Sequence, residues 1–313
     1  MRIGIDKGTV VAERIGFLGT GLMGRPMAER LLAAGHALTA WNRTQEKAHP
    51  LKEHGAAIAS TPIEAVAGAG IVCIILEHAA AIEDVLFAPA MLEALAPGTV
   101  VIDLTSLHPD AARANAARLA ANGVFYLDAP VSGGPPGAVE GTLAIMVGGE
   151  VNAFERAQPV LGCFGRAIHV GPAGSGQITK LGSQIISGAA LAAVAEALML
   201  FSQTGVAVER AREALFGGYA DSKVLRLHGE RMIERQFEPG GHIRTFLKDL
   251  NAAADLAERD GLDLPVATLS RGMFGRLSQD GFGEADIAAM ALEIERRNEG
   301  RRIGPAPDPK AGS

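Results

Sequence analysis

At 313 residues, 48% hydrophobic and 20% charged, the chain is too apolar to be disordered and long enough for one large core or two modest ones. Lys and Arg number 29 against 35 Asp and Glu, a net charge of −6, which argues against nucleic-acid binding as the main role. With 11 Phe, 2 Tyr and 1 Trp, the interior falls to Ala, Leu, Val and Ile, which suits helices packed on a parallel sheet better than an all-β sandwich.

Residues 1–13 carry charges of both signs and no apolar h-region, so they do not read as a signal peptide. Residues 14–18 read as a strand, 21–34 as an amphipathic helix closed by Gly35, and 37–41 as a second strand. The run Ile-Val-Cys-Ile-Ile-Leu over 71–76 predicts a strand buried on both faces. Strands at 99–103, 124–128 and 143–147 follow, with helices between them and another at 152–161. This alternation predicts an α/β fold, a doubly wound Rossmann parallel sheet built from crossovers of one hand.

After Gly176 the pattern changes. Residues 177–203 read as one long, mostly apolar helix, and helical periodicity then dominates to about Arg297. The expected organisation is a dinucleotide-binding domain at 13–175, an all-helical substrate and dimerisation domain at 176–300, and a Pro- and Gly-rich tail without fixed structure at 301–313. The long helix exceeds what one small domain needs, so a homodimer or homotetramer is expected. Cys73 and Cys163 sit in apolar settings without metal spacing, which predicts no disulfide framework, no metal and a reducing compartment. The most apolar stretch, 185–195, is about half a membrane span, so a soluble cytoplasmic protein without a membrane partner is expected.

Gly19-Thr20-Gly21-Leu22-Met23-Gly24 is a G-x-G-x-x-G between a predicted strand and a predicted helix. In that context the glycines permit the tight turn, the approach of a pyrophosphate and close helix–sheet packing. The phosphates would meet unsatisfied N–H groups at the helix N-terminus. NAD binders usually end the second strand with an acid, whereas this chain has Asn42-Arg43-Thr44. Arg43 with Asn42 and Thr44 could hold a 2′-phosphate, which favours NADP(H) while leaving NAD(H) possible; a solvated arginine at a helix start is the alternative. Ser132-Gly133-Gly134, beyond a strand end, offers a hydroxyl and backbone N–H groups for a small carboxylate, or simply a turn that needs two glycines. Lys180, with Gln184 one turn on, interrupts the apolar helix, and Lys248-Asp249 interrupts a later one. Taken singly, either lysine could be a surface residue.

The run from Gly16 to Ala28, together with Asp128 to Gly134, Gly174 to Lys180 and Lys248-Asp249-Leu250, resembles the β-hydroxyacid dehydrogenase family over about 14–297. That family includes 3-hydroxyisobutyrate dehydrogenase and tartronate semialdehyde (2-hydroxy-3-oxopropionate) reductase. The resemblance implies that Lys180 is the catalytic acid/base, that Ser132, Gly133 and Gly134 hold the substrate carboxylate, and that Lys248 reaches the nicotinamide and substrate side, with Asp249 beside it. Thr105 matches a cofactor contact, and Leu76 is expected with it. Two departures stand out: Gln184 where many members have Asn, and Pro239-Gly240-Gly241-His242 where an aromatic is common.

These residues predict hydride transfer between a nicotinamide and a small semialdehyde acid or its hydroxyacid, with Lys180 moving the proton and Gln184 orienting the oxygen. The expected substrate is tartronate semialdehyde, giving glycerate; the alternatives are 3-hydroxyisobutyrate and other short semialdehydes or glyoxylate. An inactive NADP-binding regulatory protein is the rival from another class, and retention of both lysines weighs against it.

Overall fold

Short apolar runs, the central ones buried on both faces, make the parallel heart of the first of two units. The computed structural model describes residues 14–238 and 240–304; the 1–13 segment, Pro239 and the expected tail from 305 on lie outside the described residues. The chain divides into two compact units, one ending at Lys180 and the other starting at Leu181.

The first unit opens with β1 (Arg14–Leu18), α1 (Gly24–Ala33), β2 (Ala37–Trp41), β3 (Ala57–Ile58) and α2 (Pro62–Val66). It continues through β4 (Ile71–Ile74), α3 (Ala79–Leu86), α4 (Pro89–Ala94), β5 (Val100–Asp103), α5 (Pro109–Ala120) and β6 (Phe125–Asp128). Then come β7 (Val131–Ser132), α6 (Gly134–Glu140), β8 (Leu143–Gly148), α7 (Val151–Phe164) and β9 (Gly165–Gly171). Strands β1 to β6 are parallel in the order β3-β2-β1-β4-β5-β6. The order reverses at β1, so the crevice for a ligand lies beyond the carboxyl ends of β1 and β4. Along β4, Ile71 and Cys73 join the core layer of α1 and α7, while Val72 and Ile74 join that of α3 and α5. This is the doubly wound arrangement the alternation predicts.

The sheet departs from the expected parallel form at its far end. β8 runs antiparallel to β6 and β7, and β9 runs parallel to β8. The link from Ser132 to Leu143 is too short for a parallel crossover, which needs about a dozen residues or more, so the chain can only turn back. β3 and β7 have two residues each, and β9 buries neither face, so none carries the apolar signature that marks a strand. The buried run at 71–76 is strand only to Ile74; Ile75 still donates its N–H to Leu18 O at 2.9 Å, and both Ile75 and Leu76 are half-buried.

Helix α8 (Ser175–Gln203) begins in the first unit and ends in the second. By length and composition it is apolar enough to cross a membrane, more than the short 185–195 stretch suggests. Leu191, Ala195 and Leu198 instead lie in the core of the second unit. That unit adds α9 (Val208–Ala214), α10 (Gly229–Glu234), α11 (Ile243–Arg259), α12 (Pro265–Leu277) and α13 (Met290–Arg297). A Cβ at Gly188 would stand 2.6 Å from Ser270 Oγ and 3.2 Å from the Phe246 ring, so the glycine lets α8 meet α11 and α12 closely. At the described start of the expected tail, Arg301 and Arg302 are exposed but Ile303 is fully buried, and its N–H donates to Glu295 Oε1 at 2.8 Å.

At the end of β5, Asp103 is fully buried and accepts from Thr105 N–H at 2.9 Å and Tyr126 O–H at 2.8 Å. Burial pushes its carboxyl up to about 6, against those hydrogen bonds. The native state therefore favours the protonated acid. The contribution of Asp103 to stability is fullest below about pH 4 and is lost as pH rises through about 6. Asp103→Asn keeps an acceptor for Thr105 and, with the Tyr126 hydroxyl turned to accept from the amide, a partner for Tyr126, without the charge. Its melting temperature should gain on the parent's between pH 4 and 7, by the equivalent of up to about 3 kcal/mol. A difference that stays constant across that range in thermal melts would contradict this.

Candidate active site

The turn after β1 assigns each glycine a separate task. Gly19 has φ +101°, and a Cβ there would meet Ile75 O at 2.1 Å. A Cβ on Gly24 would meet Gly19 O at 1.9 Å, so this glycine lets α1 sit against the turn. Gly21 differs: nothing lies within 4 Å of its Cβ position. Its open side is where a pyrophosphate would approach; the hydroxyl of the preceding Thr20 is buried with no hydrogen-bond partner among the described residues. Leu22 is exposed and Met23 half-buried. The residues present fit a dinucleotide.

Asn42 closes this turn onto β2. Its Oδ1 accepts Thr20 N–H at 2.9 Å and its Nδ2 donates to Thr44 O at 2.9 Å. The sequence gives Asn42 to the 2′-phosphate; the structure employs its side chain first in the architecture of the turn. Arg43 and Thr44 are exposed beside it.

At the ends of β4 and β5 the Thr105 hydroxyl accepts Leu76 N–H at 3.0 Å, which joins the two expected cofactor contacts. Next along the sheet, Asp128 takes Gly174 N–H at 2.8 Å on Oδ1 and Gln177 N–H at 2.9 Å on Oδ2. The carboxylate of one strand end thus caps the first turn of α8. Burial raises the Asp128 carboxyl above its ordinary value, opposed by these N–H donors. The Gln177 side chain donates to Thr105 O at 2.8 Å and accepts Leu107 N–H at 3.0 Å. Gln177 is not among the expected site residues; its signal was a buried-type position for a polar side chain, one turn before Lys180. Lys180 itself is 9% exposed.

Ser132 is half-buried at the end of β7, and Gly133 and Gly134 follow with φ +136° and +62°. Both glycines are needed by the backbone of the turn, whatever the turn also binds. In the second unit, Gln184 Nε2 donates to Asp249 Oδ2 at 3.0 Å, and Lys248 Nζ lies 3.4 Å from Asp249 Oδ1. Asp249 is 4% exposed, so its carboxylate orients Gln184 and Lys248. Gln184 is thereby brought to the adjacent pair Lys248 and Asp249, which lie far from it in sequence. Gly240 and Gly241 donate their N–H groups to Asp286 Oδ2, and His242 Nδ1 lies 3.0 Å from Glu284 O at the start of α11.

Separate glycine tasks give separable outcomes. Gly24→Ala should destabilise the fold by at least the roughly 1–3 kcal/mol typical of overpacking. Gly21→Ala should leave the melting temperature unchanged and weaken NADPH binding by about tenfold or more, about 1.4 kcal/mol. Calorimetric titration and thermal melts of the two variants check this; tight NADPH binding by Gly21→Ala would refute the assignment.

Residues 14–172 match the family described as the NAD binding domain of 6-phosphogluconate dehydrogenase. Residues 174–294 match that described as the NAD-binding region of NADP-dependent 3-hydroxyisobutyrate dehydrogenase. The 2-hydroxy-3-oxopropionate reductase of Escherichia coli (strain K12) is 38% identical over 284 residues, covering 90% of this chain and 97% of the relative. The structure of Mycobacterium tuberculosis 3-hydroxyisobutyrate dehydrogenase with L-serine superposes with a TM-score of 0.82 at 29% identity, over 91% of this chain and 99% of that one. Psf3 in complex with NADP+ and 2-OPP gives a TM-score of 0.81 at 25% identity, over 90% and 99% of the two chains. Both units are matched, in order and almost end to end, and the glycine turn has the geometry that a dinucleotide requires. The chain therefore belongs to the β-hydroxyacid dehydrogenase family, NAD(P)-dependent enzymes that act on CH–OH groups.

Proposed function

We propose that this enzyme interconverts a small semialdehyde acid and its hydroxyacid with NADP(H), tartronate semialdehyde and glycerate being the pair best supported. The observation that carries the reading is Lys180, a buried lysine whose helical turn is fixed by Asp128 and Gln177, with Gln184 one turn further on. When bound, the nicotinamide supplies or accepts the hydride. The Lys180 ammonium gives its proton to the carbonyl oxygen in reduction and recovers it in oxidation. Gln184, held by Asp249, has amide capacity left to orient that oxygen. The Ser132 hydroxyl and the backbone at Gly133 and Gly134 hold the carboxylate, which fixes the carbonyl for attack. Lys248 would reach the nicotinamide and substrate side, and Arg43 would meet the 2′-phosphate of a bound cofactor.

The substrate reading leans on the Escherichia coli relative and the cofactor reading on the NADP+ complex of Psf3. The likeness to the Mycobacterium tuberculosis enzyme favours 3-hydroxyisobutyrate as the second substrate. A chain that self-associates is part of the same proposal. Ile186 and Leu200 on α8 are 72% and 61% exposed, and Val266 and Leu269 on α12 are each 58% exposed. Apolar side chains of that size on neighbouring helices suit a symmetric contact.

Steady-state assays with tartronate semialdehyde, 3-hydroxyisobutyrate and glyoxylate test the reaction. Lys180→Ala should lower kcat about 10²–10⁴-fold with NADPH affinity nearly unchanged. The parent should prefer NADPH over NADH by about tenfold or more, and Arg43→Ala should erase that preference, as for a charge-assisted contact of roughly 1.5–3 kcal/mol. Near-normal turnover in a folded Lys180→Ala protein would remove the proposed mechanism, and a parent preference for NADH the cofactor assignment. Light scattering at micromolar concentration should give a multiple of 32.4 kDa; the monomer mass would contradict self-association.

A further inference from the structure

Gln177 is 1% exposed and makes three hydrogen bonds in three directions. Its own N–H is held by Asp128, while both ends of its amide go to one loop, between β5 and α5. The atoms it meets there are the carbonyl of Thr105 and the N–H of Leu107, which flank Ser106. Those two groups are what one residue of a neighbouring parallel strand would satisfy, so the side-chain amide stands in for a peptide unit against Ser106. Only an amide offers a donor and an acceptor at that separation; a carboxylate would set oxygen against the Thr105 carbonyl, and an apolar chain would leave both loop groups unpaired.

The loop so gripped is the one whose Thr105 hydroxyl holds Leu76 N–H. Gln177 and Lys180 are three residues apart on α8, hence on one face of adjacent turns. We propose that Gln177 is the positioning residue that locks the turn bearing Lys180 to the loop that contacts the cofactor, so that the proton donor and the nicotinamide share one frame. This rests on Lys180 being the acid/base group and on Leu76 and Thr105 lining the cofactor. The lock acts on placement alone, and a misplacement of about 1 Å is enough to slow a reaction about a hundredfold.

The test compares parent, Gln177→Met and Lys180→Ala for melting temperature, NADPH affinity, kcat, KM and the pH profile of kcat. Gln177→Met should lower kcat by about 10²-fold, shift the pH profile of kcat and leave NADPH affinity within about threefold of the parent. If Gln177→Met does not accumulate folded, Gln177→Asn keeps the amide but draws it back one methylene, and the same split is expected of it. A lowered melting temperature with kcat and pH profile of the folded protein unchanged would overturn the proposal and leave Gln177 a structural residue. Retained turnover in Lys180→Ala would overturn the reading of Lys180 and the positioning role with it. Loss of turnover there, with Gln177→Met unimpaired, would overturn the positioning role alone.

Discussion

The carboxylate of Asp128 gripping the first turn of α8 is the constraint from which the rest of the site follows. Asp128 ends β6, and α8 begins only where Gly174 and Gln177 can give it their N–H groups. The approach is so close that a Cβ on Gly176 would lie 2.4 Å from both Asp128 O and Met146 O, and one on Gly148 would lie 2.5 Å from Asp128 Oδ1. Two glycines and one aspartate thus fix where a helix of 29 residues starts and how it is rotated about its axis. That rotation decides which side Lys180 occupies. The helix repays the contact, because its N-terminal partial charge favours a carboxylate and moderates the penalty of burying one.

A second buried carboxylate lies beside the first. Asp103 and Asp128 are register partners on adjacent parallel strands. Their surroundings separate them: Asp103 meets a phenol and the hydroxyl and N–H of one loop residue, Thr105, whereas Asp128 meets a helix terminus. Asp103 orders the loop through Thr105, and Asp128 orders the helix. Gln177 touches both arrangements. The polar groups at the strand ends therefore form a connected set, in which the loss of one member leaves others unpaired in a low dielectric.

Much of this was legible in the sequence, for physical reasons. Strands buried on both faces, such as β4, announce themselves as unbroken aliphatic runs, and a glycine turn between strand and helix has few other uses. The long helix was visible because charges are nearly absent from it. What escaped notice depends on pairing at a distance. β7 and β9 are strands by virtue of β8 alone, and nothing in the residues Arg166 to Val170 demands a ladder. The antiparallel turn-back at β8 comes from a short connection, which residue patterns do not weigh. Of the site, residue types and their helices were readable. Partners were not: that Asn42 would bond to Thr20 and Thr44, Asp249 to Gln184, and Gln177 to Thr105 and Leu107 emerges only when separate segments meet.

The two hydrogen bonds of Asn42 constrain how such a chain can drift in evolution. The direct exchange of one cofactor for the other is to acquire an acid at the end of β2. An aspartate at 42 would still accept Thr20 N–H, but its second oxygen would face the Thr44 carbonyl, where Nδ2 now donates. The new charge would meet an unfavourable dipole before it met any ribose. A one-letter exchange would therefore loosen the glycine turn while it rewrote the recognition. The path to the other cofactor runs through at least two positions, the backbone at Thr44 yielding before or together with Asn42, and a lineage is held near its present preference by the geometry of a turn as much as by selection on affinity.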